Sequence, residues 1–462
     1  MSKSITNRMT EGPILPQLAR FAIPFFVSFF LQNLYNVVDM IVVGQFVGSA
    51  GLSAVTISGQ ASFIMTSICV GISEGGHIVA SQYVGADDKK GISETTGTLF
   101  SLCIIASAIM MIIGLGLYRP LLRWVDTPAE SMKDAREYMF VICLGTFFTF
   151  GYNVISALLR GMGDSKRPMY FVAIASVVNI IGDLILVGLF DLSALGAAIA
   201  TIFAQAVSVA ISIVYLYKKR DMFGFDFKPA SFRIRPDKLK KMLKIGIPTA
   251  VEMSVVNISF LYMIALINGY GVAATAAYGV GSRVDGFIRM PAQSVASSLG
   301  TLVGQNVGAR KIKRVKKIMV IGVSLTFALS ILGIIVVRLF PEQLFGIFTS
   351  DPDTIAMGLR YVKVMCWCYL CMALMNSFNA LARGSGAAII VMIGGIMDGF
   401  VFRLGLAWLF TSVLAMGFEG VLWGACLAPG AAGLIALGYC ISGKWKTKTL
   451  IDAPADAVDD DE

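Results

Sequence analysis

Two aspartates stand inside stretches that otherwise carry no charge: Asp39 in LQNLYNVVDMIVV and Asp183 in VVNIIGDLILV. A carboxylate deep in an apolar span is costly, so it needs a task. Their neighbours are polar at helical spacing. Ser28, Gln32, Tyr35 and Asp39 recur at steps of four, three and four, and Asn36 stands a turn before Asp39. Asn179 stands one turn before Asp183, while Thr146, Thr149, Asn153 and Ser156 form a third stripe and Thr201, Gln205, Ser208 and Ser212 a fourth. Residues three and four apart share one helix face, and a lipid-facing surface gains nothing from polar side chains. The stripes are expected to converge on one hydrated pocket whose acids are Asp39 and Asp183, supported by Gln32, Tyr35, Asn36, Asn153, Asn179 and Thr201. Two carboxyls in a desolvated chamber cannot cheaply stay ionised together, which suits a proton. The same oxygens, with Asn and Thr help, suit sodium.

The second half of the chain differs in character. Met253, Met372 and other methionines and aromatics offer adaptable apolar walls that attract soft cations. With Glu252, Asn376 and Asp398 they form a candidate substrate face. Glu252 is expected near one mouth of the span. Asp285 and Arg289, four apart, read as a buried ion pair; Asp398 and Arg403, five apart, pair less cleanly. Glu74 and His77 read as a mutual hydrogen bond or a proton relay, and Arg160 and Arg383 as caps that meet lipid phosphate.

The elements that must hold these residues follow from composition. The chain has 462 residues, 56% hydrophobic and 15% charged, against about 25% charged in soluble domains. Its apolar runs are unbroken rather than alternating, so helices and not barrel strands span the bilayer. Apolar stretches of about 20 residues give twelve helices, at 16–44, 53–82, 94–117, 135–159, 168–190, 195–217, 244–269, 275–305, 317–340, 357–382, 388–411 and 419–441. Lys and Arg crowd the segments around 3–20, 89–90, 160–167, 218–244, 310–317, 383 and 444–448. The positive-inside rule then puts both termini in the cytoplasm of a plasma-membrane protein. The net charge of +9 is topology and not a nucleic-acid surface. The eight cysteines all lie in apolar segments and imply neither a disulfide framework nor a metal site. No P-loop or other catalytic motif is present, and the first residues hold no apolar signal segment.

The halves repeat at an offset of about 223 residues. LARFAIP matches LKIGIP, SQYVGA matches GQNVGA, NVISALLRGMG matches NSFNALARGSG, and Gly196 matches Gly420. Six is an even number of spans, so the repeats run parallel, related by an axis near the membrane normal. The expected layout is a terminal segment 1–15, an N-lobe 16–217, a linker 218–243, a C-lobe 244–443 and a disordered acidic tail 444–462, as a monomer in contact with membrane lipids.

LRGMGDSKRPM at 159–169, the paired VGA motifs and LQNLYNVVDMIVVGQFVG at 31–48 resemble the multidrug and toxic compound extrusion (MATE) family. The resemblance runs from about residue 14 to 443, nearly the whole chain. It implies an all-α membrane protein of twelve helices in two bundles around a V-shaped cleft. It further implies alternating-access antiport of small organic cations against protons or sodium, with no cofactor. The proton-coupled, DNA-damage-inducible branch is nearest in motif, and its coupling aspartates match Asp39 and Asp183. The sodium-coupled branch matches less, because Met372 stands in the helix-10 region where that branch has an acid. A lipid-precursor flippase of the same superfamily and an uncoupled channel or sensor are the alternatives.

Overall fold

The computed structural model describes residues 9–125, 127–220 and 225–451. Among them there are helices and turns and no strand. The spans are α1 Ile14–Phe46, α2 Ser49–Gly85, α3 Lys89–Trp124, a bent α4 (Met132–Leu144 and Thr146–Gly161), α5 Lys166–Leu189 and α6 Ser193–Lys218. The second set is α7 Pro236–Asn268, α8 Val272–Gly308, α9 Ile312–Leu339, a bent α10 (Pro352–Met365 and Cys368–Gly384), α11 Ala388–Val413 and α12 Gly417–Ile441. Eight of these are straight spans by length and hydropathy, and three are bent pairs, α2 among them. The twelfth, α8, carries Arg283, Asp285 and Arg289 and is correspondingly less apolar.

The duplication is written into the backbone. α1 and α7 are each 33 residues with an internal proline, Pro24 and Pro248. α2 and α8 are each 37 residues and each follows a glycine in the left-handed region, Gly48 at φ 83° and Gly271 at φ 95°. Four more positive-φ turns come in pairs: Asp87 with Arg310, Gly163 with Gly386, Asp191 with Ala415, and Ser193 with Gly417. Glycine holds such turns without a Cβ penalty. α4 bends by 51° at Gly145, and α10 by 45° at Cys366–Trp367. A Cβ on Gly145 would lie 2.1 Å from the Ile202 side chain, so α4 and α6 meet there at glycine range.

The described chain divides into two compact units. One holds Val27–Ala250; the other holds Met9–Phe26 and Val251 onward. α1 therefore changes unit just past Pro24, and α7 just past Pro248. A proline removes one helical hydrogen bond and so loosens the helix where it passes from one unit to the other.

In the first unit, the segment before α7 is strapped to α3. Ser101 Oγ donates to the Phe232 carbonyl, Arg235 N donates to Thr98 Oγ1 at 3.1 Å, and Phe225, Phe227 and Phe232 stack in edge contacts. Gly97 lies directly under the Ser231 carbonyl. In the second unit, Met9 N donates to Gln305 Oε1 at 2.8 Å, Asn306 Nδ2 donates to the Met9 carbonyl at 3.1 Å, and Arg314 Nη1 donates to the Gly12 carbonyl at 2.8 Å. After α12, Lys444–Lys446 form a 3-10 turn, and Trp445, Leu450 and Ile451 are buried. The rest of the expected tail, 452–462, lies outside the described residues, as do 1–8.

Candidate functional site

Three helices of the first unit show the same order along their lengths. On α1, Gln32 and Tyr35 line a cavity, Asp39 follows, and Val42 and Val43 enter an apolar cluster. On α5, Ala175 and Asn179 line the cavity, Asp183 follows, and Val187 enters the cluster. On α6, which runs the other way, Thr201, Ala204 and Gln205 line the cavity and Ala194, Ala197 and Ala198 join the cluster. The two acids thus sit one turn beyond the lining of a cavity of about 370 Å³, between it and a layer of valine and alanine.

Asp39 and Asp183 are in mutual side-chain contact. Asp183 is fully buried. Both its carboxyl oxygens, and Asp39 Oδ1, are buried with no hydrogen-bond donor among the described residues. Two ionised carboxylates can only accept, so the pair is satisfied only when it holds a proton between its oxygens or a cation from outside the protein. Tyr35 and Tyr138 are the near ring neighbours of Asp39, and Tyr138 also neighbours Asp183.

Local sequence explains the approach of these helices. A Cβ on Gly182 would lie 2.8 Å from Ala200 Cβ, so the residue before Asp183 lets α5 close on α6. Directly after Asp183, α5 widens into a π-helical turn, Leu184–Leu189. Such turns rotate the side chains beyond them and recur at functional sites.

The cavity wall is loosely bonded. Gln32 Nε2 donates to Tyr152 Oη at 3.4 Å, and Asn179 Nδ2 donates to Thr201 Oγ1 at 3.4 Å. Asn179 Oδ1 has no donor among the described residues. Thr149 Oγ1 donates to Gln205 Oε1 at 2.6 Å and joins α4 to α6. Of the supporting residues expected from sequence, Gln32, Tyr35, Asn179 and Thr201 line this cavity. Asn153 instead donates to the Thr149 carbonyl at 2.8 Å, and Asn36 is exposed away from the lining. Sequence reasoning missed Tyr152 and Tyr138. An aromatic amphipathic tip on a polar stripe was the available signal for Tyr152, which adjoins Asn153; Tyr138 lies beyond the Gly145 bend, and no straight-helix spacing connects it.

The candidate substrate residues of the second unit do not form one face. Glu252 is buried and accepts from Arg383 Nη2 at 2.6 Å and Asn379 Nδ2 at 3.4 Å. Asp398 is fully buried and both its oxygens accept from Arg403 Nη2 at 3.0 Å. The pairing that looked poor at a spacing of five becomes direct because Met397–Arg403 is π-helical, and an i→i+5 pattern stacks residues five apart. Asp285 accepts from Tyr361 and Tyr369 hydroxyls at 2.5 Å each, in place of the expected side-chain pair with Arg289. Met253 is half-buried. Met372 and Asn376 do meet, in a second cavity described below. Glu74 and His77 make the expected contact, at 3.1 Å.

Comparison with known proteins places this geometry. The MatE family model matches the chain twice, over residues 24–185 and 248–409. The chain is 28% identical over 443 residues to the probable multidrug resistance protein YpnP of Bacillus subtilis, covering 96% of this chain and 98% of that one. It is 26% identical over 452 residues to the probable multidrug resistance protein YoeA of the same organism, covering 96% and 97%. Among solved structures, a MOP superfamily transporter from Pyrococcus furiosus superposes with a TM-score of 0.90 at 22% identity, over 97% of this chain and all of that one.

Proposed function

This chain belongs to the MatE family of multi-pass membrane transporters, and we propose that it exports cationic or amphipathic organic compounds in exchange for protons, with sodium as the other candidate ion. The observation that carries the reading is the Asp39–Asp183 pair, its buried oxygens without a donor among the described residues, one turn beyond the cavity lining. The full-length match to relatives named multidrug resistance proteins supports the substrate class.

The pair is the exchange element. Without a proton it presents only acceptors and favours a cation in the cavity above. When it gains protons, the charge is gone and the cation leaves. The valine and alanine layer beneath keeps ions from passing straight through, so loading and release must occur by a change of conformation, in an alternating-access cycle. One elementary charge moving through 100 mV yields about 2.3 kcal/mol. Exchanging one proton for one monovalent cation cancels that term and leaves the pH gradient as the drive. Both termini are cytoplasmic in this scheme and the protein works as a monomer in the plasma membrane, with Arg and Lys at the cytoplasmic ends facing lipid phosphate.

The test is transport of ethidium in proteoliposomes under an imposed pH gradient and, separately, a sodium gradient. Wild-type protein moves the dye against its concentration under one gradient. Asp39→Asn and Asp183→Asn each stop gradient-driven movement while leaving the melting temperature and the detergent-solubilised elution profile unchanged. Driven transport that survives in both variants sinks the coupling assignment, and dye leakage that ignores both gradients points to a channel.

A further inference from the structure

The second unit contains a cavity of the opposite character. It holds about 250 Å³ between α8, α9 and α10, and its wall includes Arg289, Gln293, Tyr369, Met372 and Asn376. Arg289 is half-buried and poorly served by the protein. Its Nε donates to the Asp285 backbone carbonyl at 3.2 Å, and its Nη1 meets the Met372 thioether. Its Nη2 donates to no group among the described residues. A guanidinium carries five N–H donors, a thioether is a weak acceptor, and unserved donors at membrane depth are expensive.

The neighbouring acid does not fill that need. Asp285 is buried, and its two oxygens are each capped by a tyrosine hydroxyl at 2.5 Å. Tyr369, one of the two, itself lines the cavity, so its hydroxyl and ring stand at the boundary between the carboxylate and the empty space. Asp285 balances Arg289 in charge, yet it leaves Nη2 of the fork unbonded and Nη1 with only the thioether. Gln293 adds to the donor set. Its Oε1 accepts from Asn376 Nδ2 at 3.0 Å, and its own amide N–H groups donate to no group among the described residues. Guanidinium and primary amide on one wall are the donors that a carboxylate takes best.

We propose that this cavity is a carboxylate subsite: Arg289, assisted by Gln293, takes the carboxylate group of an organic substrate. The site is separate from the Asp39–Asp183 pair, and equilibrium binding reads it without any ion gradient.

The experiment uses two dyes that differ in one group, tetramethylrhodamine as the free acid and its methyl ester, with binding to the purified full-length protein followed by fluorescence anisotropy. The wild type binds the free acid roughly tenfold more tightly than the ester, a factor within the range of one charge-assisted bond. Arg289→Gln removes that preference and leaves ester binding where it was. Arg289→Lys keeps part of it, because the charge stays and the fork is lost. Asp39→Asn with Asp183→Asn leaves the preference intact, so failure of the ion-coupling reading and failure of this one are distinguishable. A wild type that binds both dyes alike overturns the proposal. So does a preference that persists in Arg289→Gln, or an equal loss of both dyes in Arg289→Gln and Arg289→Lys.

Discussion

At the scale of single residues, a buried carboxylate with an arginine partner differs from one without. Asp398 has both oxygens served by Arg403 Nη2, and Arg403 lies 4.0 Å over the Phe260 ring. Removing one partner of a buried pair strands the other. Arg403→Gln is therefore expected to cost about 3–5 kcal/mol of stability, with Asp398→Asn and Arg403→Gln together costing less than the single change. A double-mutant cycle of denaturation in detergent measures both. The Asp39–Asp183 pair has no such partner, so its Asn variants are expected to lose function and keep stability. The types and spacing of Gln32, Tyr35, Asn179 and Thr201 were enough to place them in one cavity, because a straight helix turns a spacing of three or four into a shared face. Tyr138 and the Asp398–Arg403 contact escaped that rule, the first because α4 bends at Gly145, the second because a π turn changes the period.

Among the elements, the segments that enter α1 and α7 are held by side chains far away in sequence. Gly97 is the tightest point of the strap before α7, since any Cβ there would overlap the Ser231 carbonyl. Gly97→Ala is expected to push the 225–236 segment off α3 at a cost of about 1–3 kcal/mol. Limited proteolysis should then cut near Lys228 and Arg233 faster than in the wild type; an unchanged cleavage rate would mean the strap tolerates the methyl group. Nothing in the sequence marked this docking. The linker reads as charged and proline-bearing, and the burial of Phe225 depends on a surface that only folded α3 supplies.

For the whole molecule, three spans, α7 to α9, separate the linker from the loop after α9, and an odd number puts the two on opposite faces of the bilayer. Ala230 and Ser350 are both exposed. A membrane-impermeant maleimide is expected to label Ser350→Cys in intact cells and Ala230→Cys only after permeabilisation. The reverse pattern would invert the orientation drawn from Lys and Arg. The eight native cysteines lie within or at the ends of helices as free thiols and set a low background.

Class, span number and duplication were decided by composition and order alone. A bilayer accepts only elements that satisfy their own backbone, and a chain with this much apolar surface has no alternative to helices. The paired motifs repeat because each half solves the same packing problem, and the paired left-handed turns show it at the backbone. Tertiary structure decided which polar groups meet. A carboxyl becomes a working site through what fails to approach it. That depends on helix bends, π turns and glycine contacts between segments, none of which a single helical period encodes. The same packing left Asp183 without a donor, gave Asp398 its arginine, and turned Arg289 toward an empty cavity.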